Sequence, residues 1–153
     1  MRENTKTKMR YESKRDPLYG VVFLILIVII LFSMASLYWE GGDNVSLGIV
    51  IPTYIFCTAV ISFIIWIWLH TYYEIKDGFL HYRSGPIKGF IPIKSIIKIT
   101  QNQTMYAGTK PALARNGLII THGKWNEIYI SPLLADEFVK ELKKINKGIT
   151  LKK

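Results

Sequence analysis

Two long runs of the chain show no alternation of apolar and polar positions. From Leu18 to Trp39 the sequence reads LYGVVFLILIVIILFSMASLYW, 22 residues without a charge. At 1.5 Å per residue that is about 33 Å of helix, against a hydrocarbon core of roughly 30 Å. A helix lying on a soluble domain carries a polar stripe at helical period, and this run offers only Ser33 and Ser36. Tyr19, Tyr38 and Trp39 stand at its ends, where amphipathic rings favour the headgroup level. The second run extends from Val45 to Leu69, again uncharged, with Pro52 near its start and Trp66 and Trp68 near its end. The pattern predicts a two-helix membrane hairpin. A secretory signal peptide is the competing reading of the first run. Its apolar stretch exceeds the roughly 7–15 residues such a signal uses, and it ends in Tyr38-Trp39-Glu40 instead of small residues.

After Leu69 the periodicity changes to two. Tyr72-Tyr73-Glu74-Ile75-Lys76 and Phe79-Leu80-His81-Tyr82-Arg83 flank Asp77-Gly78, a pair suited to a type I′ turn because both central residues need positive φ. That turn sets Ile75 against Leu80 and Tyr73 against Tyr82 on one face, with Glu74 opposite His81 on the other. Ser84-Gly85-Pro86 predicts a further turn, Lys88–Ile91 a short strand stopped by Pro92, and Ile96–Ile99 another strand. Residues 101–111 read as a loop. Asn116-Gly117 either turns a hairpin between Ala112–Arg115 and Leu118–Thr121 or opens a longer strand. Leu118–His122 and Glu127–Ile130 follow, joined around Gly123-Lys124. A closing helix is predicted with Ser131 as N-cap, Pro132 in its first turn and Gly148 as its stop. Its apolar arc comprises Leu134, Ala135, Phe138, Val139, Leu142 and Ile145, which favours docking onto the sheet. The alternative is a helix lying flat on a membrane, since its other face is rich in lysine.

Composition sharpens this layout. The chain has 153 residues, 20 Lys and Arg, 11 Asp and Glu, and a net charge of +9. Between Pro17 and Leu69 the only charges are Glu40 and Asp43, so every cation lies outside the two runs. Arg2, Lys6, Lys8, Arg10, Lys14 and Arg15 precede the first run, the link Glu40–Asn44 has no cation, and the tail is basic again. The positive-inside rule then predicts a multi-pass cell-membrane protein with both termini cytoplasmic. Three parts follow: a basic N-terminal segment (1–16), the hairpin (17–70, helices 18–39 and 45–69) and a cytoplasmic domain (71–153). Cys57 is the single cysteine and lies in the second run, which excludes a disulfide framework.

The stretch YYEIKDGFLHYRSGPIKGFIPIKSIIKI, followed by LIITHGKWNEIYISPLLADEFVKELKK, resembles the bacterial PH-like domains of small Gram-positive membrane proteins. The shared pattern covers about residues 71–147: strand, Asp-Gly, strand, Arg-Ser-Gly-Pro, Ile-Pro-Ile and strand, then a strand pair, Ile-Ser-Pro and a helix. Lys94-Ser95 departs from the acidic residue often found after Ile-Pro. In layout the chain is also similar to sublancin-type immunity proteins. The resemblance implies an α+β fold, a two-helix transmembrane hairpin followed by a partly open antiparallel β-barrel capped by a C-terminal helix. It implies no catalytic residues.

Nor do the residues suggest any. His70, His81 and His122 have no second ligand at metal-site spacing. Ser84, Ser95 and Ser131 lack a nucleophile elbow, Gly85 and Gly89 do not open a helix as a phosphate loop does, and the acids are scattered. No catalytic, cofactor or metal site is expected, and without a recognition motif no nucleic-acid partner. The expected partner is the lipid bilayer, joined by anionic headgroups or a membrane-associated protein, with Arg83, Lys88, Lys94 and Lys98 as candidate anionic-lipid contacts. The expected function is a non-enzymatic PH-like binding module at the cytoplasmic face. The alternative is bacteriocin immunity or envelope-stress protection acting through the hairpin. A transporter subunit is disfavoured, because neither run carries an ionisable relay residue.

Overall fold

A computed structural model describes residues 9–41, 46–105 and 108–152. Arg2, Lys6 and Lys8 of the basic N-terminal segment, and Gly42–Asn44 of the link between the apolar runs, lie outside the described residues. The elements run β1 (Met9–Glu12), α1 (Pro17–Gly41), α2 (Leu47–Leu69), β2 (Thr71–Lys76), β3 (Phe79–Ser84) and β4 (Ile87–Pro92). A single 3-10 turn, Ile93–Ser95, leads to β5 (Ile96–Gln103), β6 (Gly117–His122), β7 (Asn126–Ile130), α3 (Ala135–Ile145) and β8 (Thr150–Lys152).

The two apolar runs are single helices, long and apolar enough to cross a membrane, with little of their surface covered by the rest of the molecule. Ser46 caps α2 by accepting the Gly48 N–H at 3.3 Å, and the helix continues through Pro52. Specific side-chain contacts join the pair among the described residues. Tyr54 donates its hydroxyl to the Met34 carbonyl at 2.7 Å, the Phe23 and Trp68 rings meet edge-to-face at 5.5 Å, and Trp68 lies against Gly20.

The remaining elements form an α+β domain of two four-stranded sheets, ordered β1-β2-β3-β4 and β7-β6-β5-β8, which do not close into a barrel. The Asp77-Gly78 turn has positive φ at both residues, 52° and 79°, and the register is the expected one, Glu74 opposite His81 and Ile75 opposite Leu80. Alternation sends Tyr73, Ile75, Leu80 and Ile91 inward against Ile99, Leu118, Ile120, Ile128 and Ile130 of the second sheet. Gly117 opens β6, so Asn116-Gly117 turns no hairpin, and Ala112–Arg115 forms no strand.

The first sheet gains a strand from before the hairpin. β1 pairs antiparallel with β2, Arg10 opposite Glu74 and Tyr11 opposite Tyr73, and the Tyr11 ring packs edge-to-face on Phe138 at 5.1 Å. Just beyond it the chain is held by a buried hydroxyl network. Ser13 Oγ lies 3.3 Å from Tyr73 Oη and 3.0 Å from Ser131 Oγ. The Tyr73 hydroxyl donates to the Pro111 carbonyl at 2.7 Å and accepts the Ser131 N–H at 3.1 Å. Burial pushes the Tyr73 phenol up, which keeps it protonated as a donor. The N–H of Lys14 donates to the Ser131 carbonyl at 2.6 Å and that of Asp16 to Leu113 at 3.0 Å. Asp16 then accepts from Arg115 Nε at 2.8 Å, and that hydrogen bond holds its carboxyl below the usual carboxylate range.

This network corrects the predicted helix start. Ser131 is committed to Ser13, Tyr73 and the Leu113 N–H, so it does not cap a helix, and Pro132 bridges to Ser13 instead of starting one. α3 begins four residues after Ser131 at Ala135, with no side-chain cap, and buries Phe138, Val139 and Leu142. The predicted arc is too wide: Leu134 and Ile145 are exposed. α3 docks on the sheets and ends at Asn146, whose side-chain amide donates to the carbonyls of Ile93 (2.9 Å) and Ile96 (3.1 Å). The chain then turns back through buried Ile149 into β8, which runs parallel to β5.

Tyr73→Phe leaves the Ser131 N–H and the Pro111 carbonyl unpaired in a buried site, a loss of about 1–3 kcal/mol. Tyr72→Phe, on the outward face of the same strand, stays within about 0.5 kcal/mol. Urea denaturation of the detergent-solubilised chain checks the difference.

Candidate binding surface on the first sheet

Because side chains alternate along each strand, the residues between the buried ones of β1–β4 share the outward face of the first sheet. These are Arg10, Glu12, Tyr72, Glu74, Lys76, Phe79, His81, Arg83, Lys88, Phe90 and Pro92. An open groove of about 690 Å³ runs across this face from Tyr72 to Phe90. Phe79, His81 and Phe90 form a ring cluster, with centroids 5.6 Å apart for the phenylalanine pair and 6.0 and 6.3 Å from His81 to each. Phe90 is 64% exposed and Phe79 36%, so the cluster presents apolar edge and face to solvent. Contiguous exposed apolar surface of this kind marks a contact site more often than chance.

Cations frame the cluster. Arg83 and Lys88 are directly opposite each other on β3 and β4. Like charges in that position repel, and an anion bound between them removes the repulsion. Arg83 Nε also reaches the Gly85 carbonyl at 3.4 Å. On the other side the Arg10 guanidinium sits 3.9 Å from the Tyr72 ring centroid. Tyr82, from the inward face of β3, lies against Gly89, where any side chain would collide with its phenol. Tyr82 also lines a second, more polar depression of about 470 Å³ that includes His122, Trp125 and Glu127. Burial lowers the His122 pKa below its usual value.

The end of the groove nearest the apolar helices is defined by one close approach. Gly85, at φ +55°, packs against Ile67 of α2, where a Cβ would stand 2.8 Å from the Ile67 side chain, and its N–H donates to the His70 carbonyl at 3.1 Å. Arg83 and Lys88 therefore lie at the helix end of the face, and the ring cluster lies farther along it.

The four lysine and arginine contacts predicted from sequence do not form one patch. Arg83 and Lys88 come together. Lys94 stands exposed in the 3-10 turn beyond Pro92, at the far end of the sheet, and Lys98 is half-buried on β5 in the other sheet, beside Thr121 and Thr150. Sequence reasoning missed Phe79, Phe90 and Tyr72 as surface residues. The period-two pattern carries that signal once β4 is extended to Pro92.

The serines considered for chemistry have structural roles. Ser84 Oγ lies 3.0 Å from Thr71 Oγ1, Ser95 donates to the Pro92 carbonyl at 2.7 Å, and Ser131 belongs to the buried network. Among the described residues no three His, Cys, Asp or Glu side chains converge as a metal site.

Residues 71–146 match the family model for the Bacterial PH domain. Over 144 residues the chain is 29% identical to "Uncharacterized protein YyaB" of Bacillus subtilis (strain 168), covering 94% of this chain and 97% of the relative. The family match begins at β2 and so excludes β1, whereas the similarity to the relative takes in the apolar helices as well. No solved structure matches.

Phe90→Ala removes a mostly solvated ring and costs under about 1 kcal/mol, whereas Phe138→Ala empties the core and costs about 3–5 kcal/mol. Chemical denaturation of the two variants in the full chain measures the contrast. Equal losses would mean that Phe90 serves the fold.

Proposed function

Because residues 71–146 belong to the bacterial PH domain family, we propose that this chain is a non-enzymatic binding module held at the cytoplasmic face of a cell membrane by its two-helix hairpin. Both termini lie in the cytoplasm, consistent with the cations flanking the two apolar helices and missing from the link between them. The partner is a segment of a membrane-associated protein, bound on the outward face of the first sheet. An apolar side chain of that segment covers the Phe79–His81–Phe90 cluster, and an acidic one sits between Arg83 and Lys88.

The observation that carries this reading is the pairing of an exposed ring cluster with two facing cations in a single groove. A lipid headgroup alone would engage the cations at the helix end and leave the rings uncovered. From Ile87, the first residue of β4 at the helix end, to Phe90 is three residues, about 10 Å along a strand.

The test is site-specific photocrosslinking in native membranes, with a benzophenone side chain at position 90, and at exposed position 97 on the other sheet as control. A discrete protein adduct is expected from position 90, lost with Arg83→Glu, and none from position 97. Adducts to lipid only, or adducts indifferent to Arg83→Glu, would sink the assignment of the face.

A further inference from the structure

The two apolar helices leave a lateral groove of about 350 Å³ at the end where they meet the domain. It lies between Gly20, Phe23 and Ile27 of α1 and Ile64, Trp68 and Leu69 of α2. We propose that this groove holds one acyl chain of an anionic phospholipid whose phosphate rests against Arg15. The inference depends on the hairpin spanning the bilayer and is independent of the partner assigned to the sheet.

Three features support a lipid of this charge. First, the groove is built by specific packing. Trp68 lies on the Gly20 backbone, where no side chain intervenes, and is held edge-to-face by Phe23. Gly20 to Ile27 spans about 10 Å of helix, most of the depth of one leaflet, which is about 15 Å of hydrocarbon. Within hydrocarbon an unfilled groove forfeits dispersion contacts along its whole lining, so an acyl chain is the natural occupant.

Second, the mouth of the groove carries a positive charge. The Arg15 guanidinium carbon lies 5.9 Å from the centroid of the Trp68 ring, which lines the groove. Its backbone is fixed by the bridge to Leu113, so the cation is held at the boundary instead of ranging on a flexible tail.

Third, the neighbouring carboxylate is already engaged. Asp16 accepts from Arg115 Nε at 2.8 Å and from the Leu18 N–H at 3.0 Å. Arg115 takes the charge of Asp16, and Arg15 keeps its own for the headgroup. A basic residue beside an anionic leaflet favours the anionic lipid by roughly fivefold.

The test uses the full chain with Trp68 as its single tryptophan (Trp39, Trp66 and Trp125→Phe), reconstituted in phosphatidylcholine vesicles. These contain an equal, small fraction of acyl-brominated phosphatidylglycerol or acyl-brominated phosphatidylcholine. Stronger quenching of Trp68 by the brominated phosphatidylglycerol is expected, corresponding to a preference of about fivefold. The preference disappears with Arg15→Gln, while quenching itself persists. Soluble glycerol phosphate should not relieve the quenching; relief would assign the charge site to free phosphate and overturn the acyl-chain placement. Equal quenching by the two lipids, or a preference unchanged by Arg15→Gln, overturns the proposed site and leaves the spanning hairpin intact. Absence of quenching by either lipid overturns the spanning hairpin and this site with it.

Discussion

The structure depends on the closure of one long excursion. The chain leaves the domain at Asp16, runs out and back through two apolar helices, and re-enters at Thr71. Ser13 and Thr71 meet backbone to backbone, the Ser13 N–H donating to the Thr71 carbonyl at 3.3 Å. The Ser13–Tyr73–Ser131 hydroxyl network then fixes that junction inside the domain. Paired strands lie about 5 Å apart and packed helices 8–10 Å apart. The transition from β1–β2 to α1–α2 must therefore splay within a few residues. Lys14–Asp16 on one side and His70 on the other absorb it, and each acquires a backbone bond: Lys14 to Ser131, Asp16 to Leu113, His70 to Trp66. Without these bonds the ends of the excursion would be tethers. With them, both helices are continuous with the core of the domain.

That closure also orients the outward face of the first sheet. β1 covers the edge of β2, which leaves β4 as the other edge and sets Arg10 over Tyr72. The β3–β4 turn is pressed onto α2 at Gly85 and Ile67. The groove therefore keeps its cationic end by the helices and its aromatic end away from them. If the helices cross a membrane, the same packing stands the groove upright on the bilayer. It also places Arg15 and Trp68 where headgroups meet acyl chains.

What could be read from the sequence was local. The Asp77-Gly78 hairpin was legible because two adjacent residues dictate both turn and register. The apolar helices were legible because a charge-free run of their length has few other solutions. β1 was not. Met9–Glu12 is four residues long and reads as part of a basic tail, and its partner lies beyond two helices. Ser131-Pro132 has the right chemistry for a helix start, but Ser13 and Tyr73, distant in sequence, compete for the same hydroxyl and N–H and win. β8 was missed for a related reason, since a three-residue parallel strand after a helix has no periodic signature. The candidate contacts show the limit most plainly. Lys88 and Lys94 are six residues apart and stand at opposite ends of a strand, whereas Arg83 and Lys88 face each other because a turn lies between them.

The central claim is that the segment before the first helix is part of the domain that follows the second. Amide hydrogen exchange of the full chain in lipid nanodiscs measures this directly, residue by residue. If the claim holds, the cross-strand amides of β1, within Met9–Glu12, and the Lys14 and Asp16 amides exchange as slowly as those of β2 and β3 and open together with them. Exchange of these amides at the rate of an unstructured tail, with β2 and β3 still protected, would contradict it.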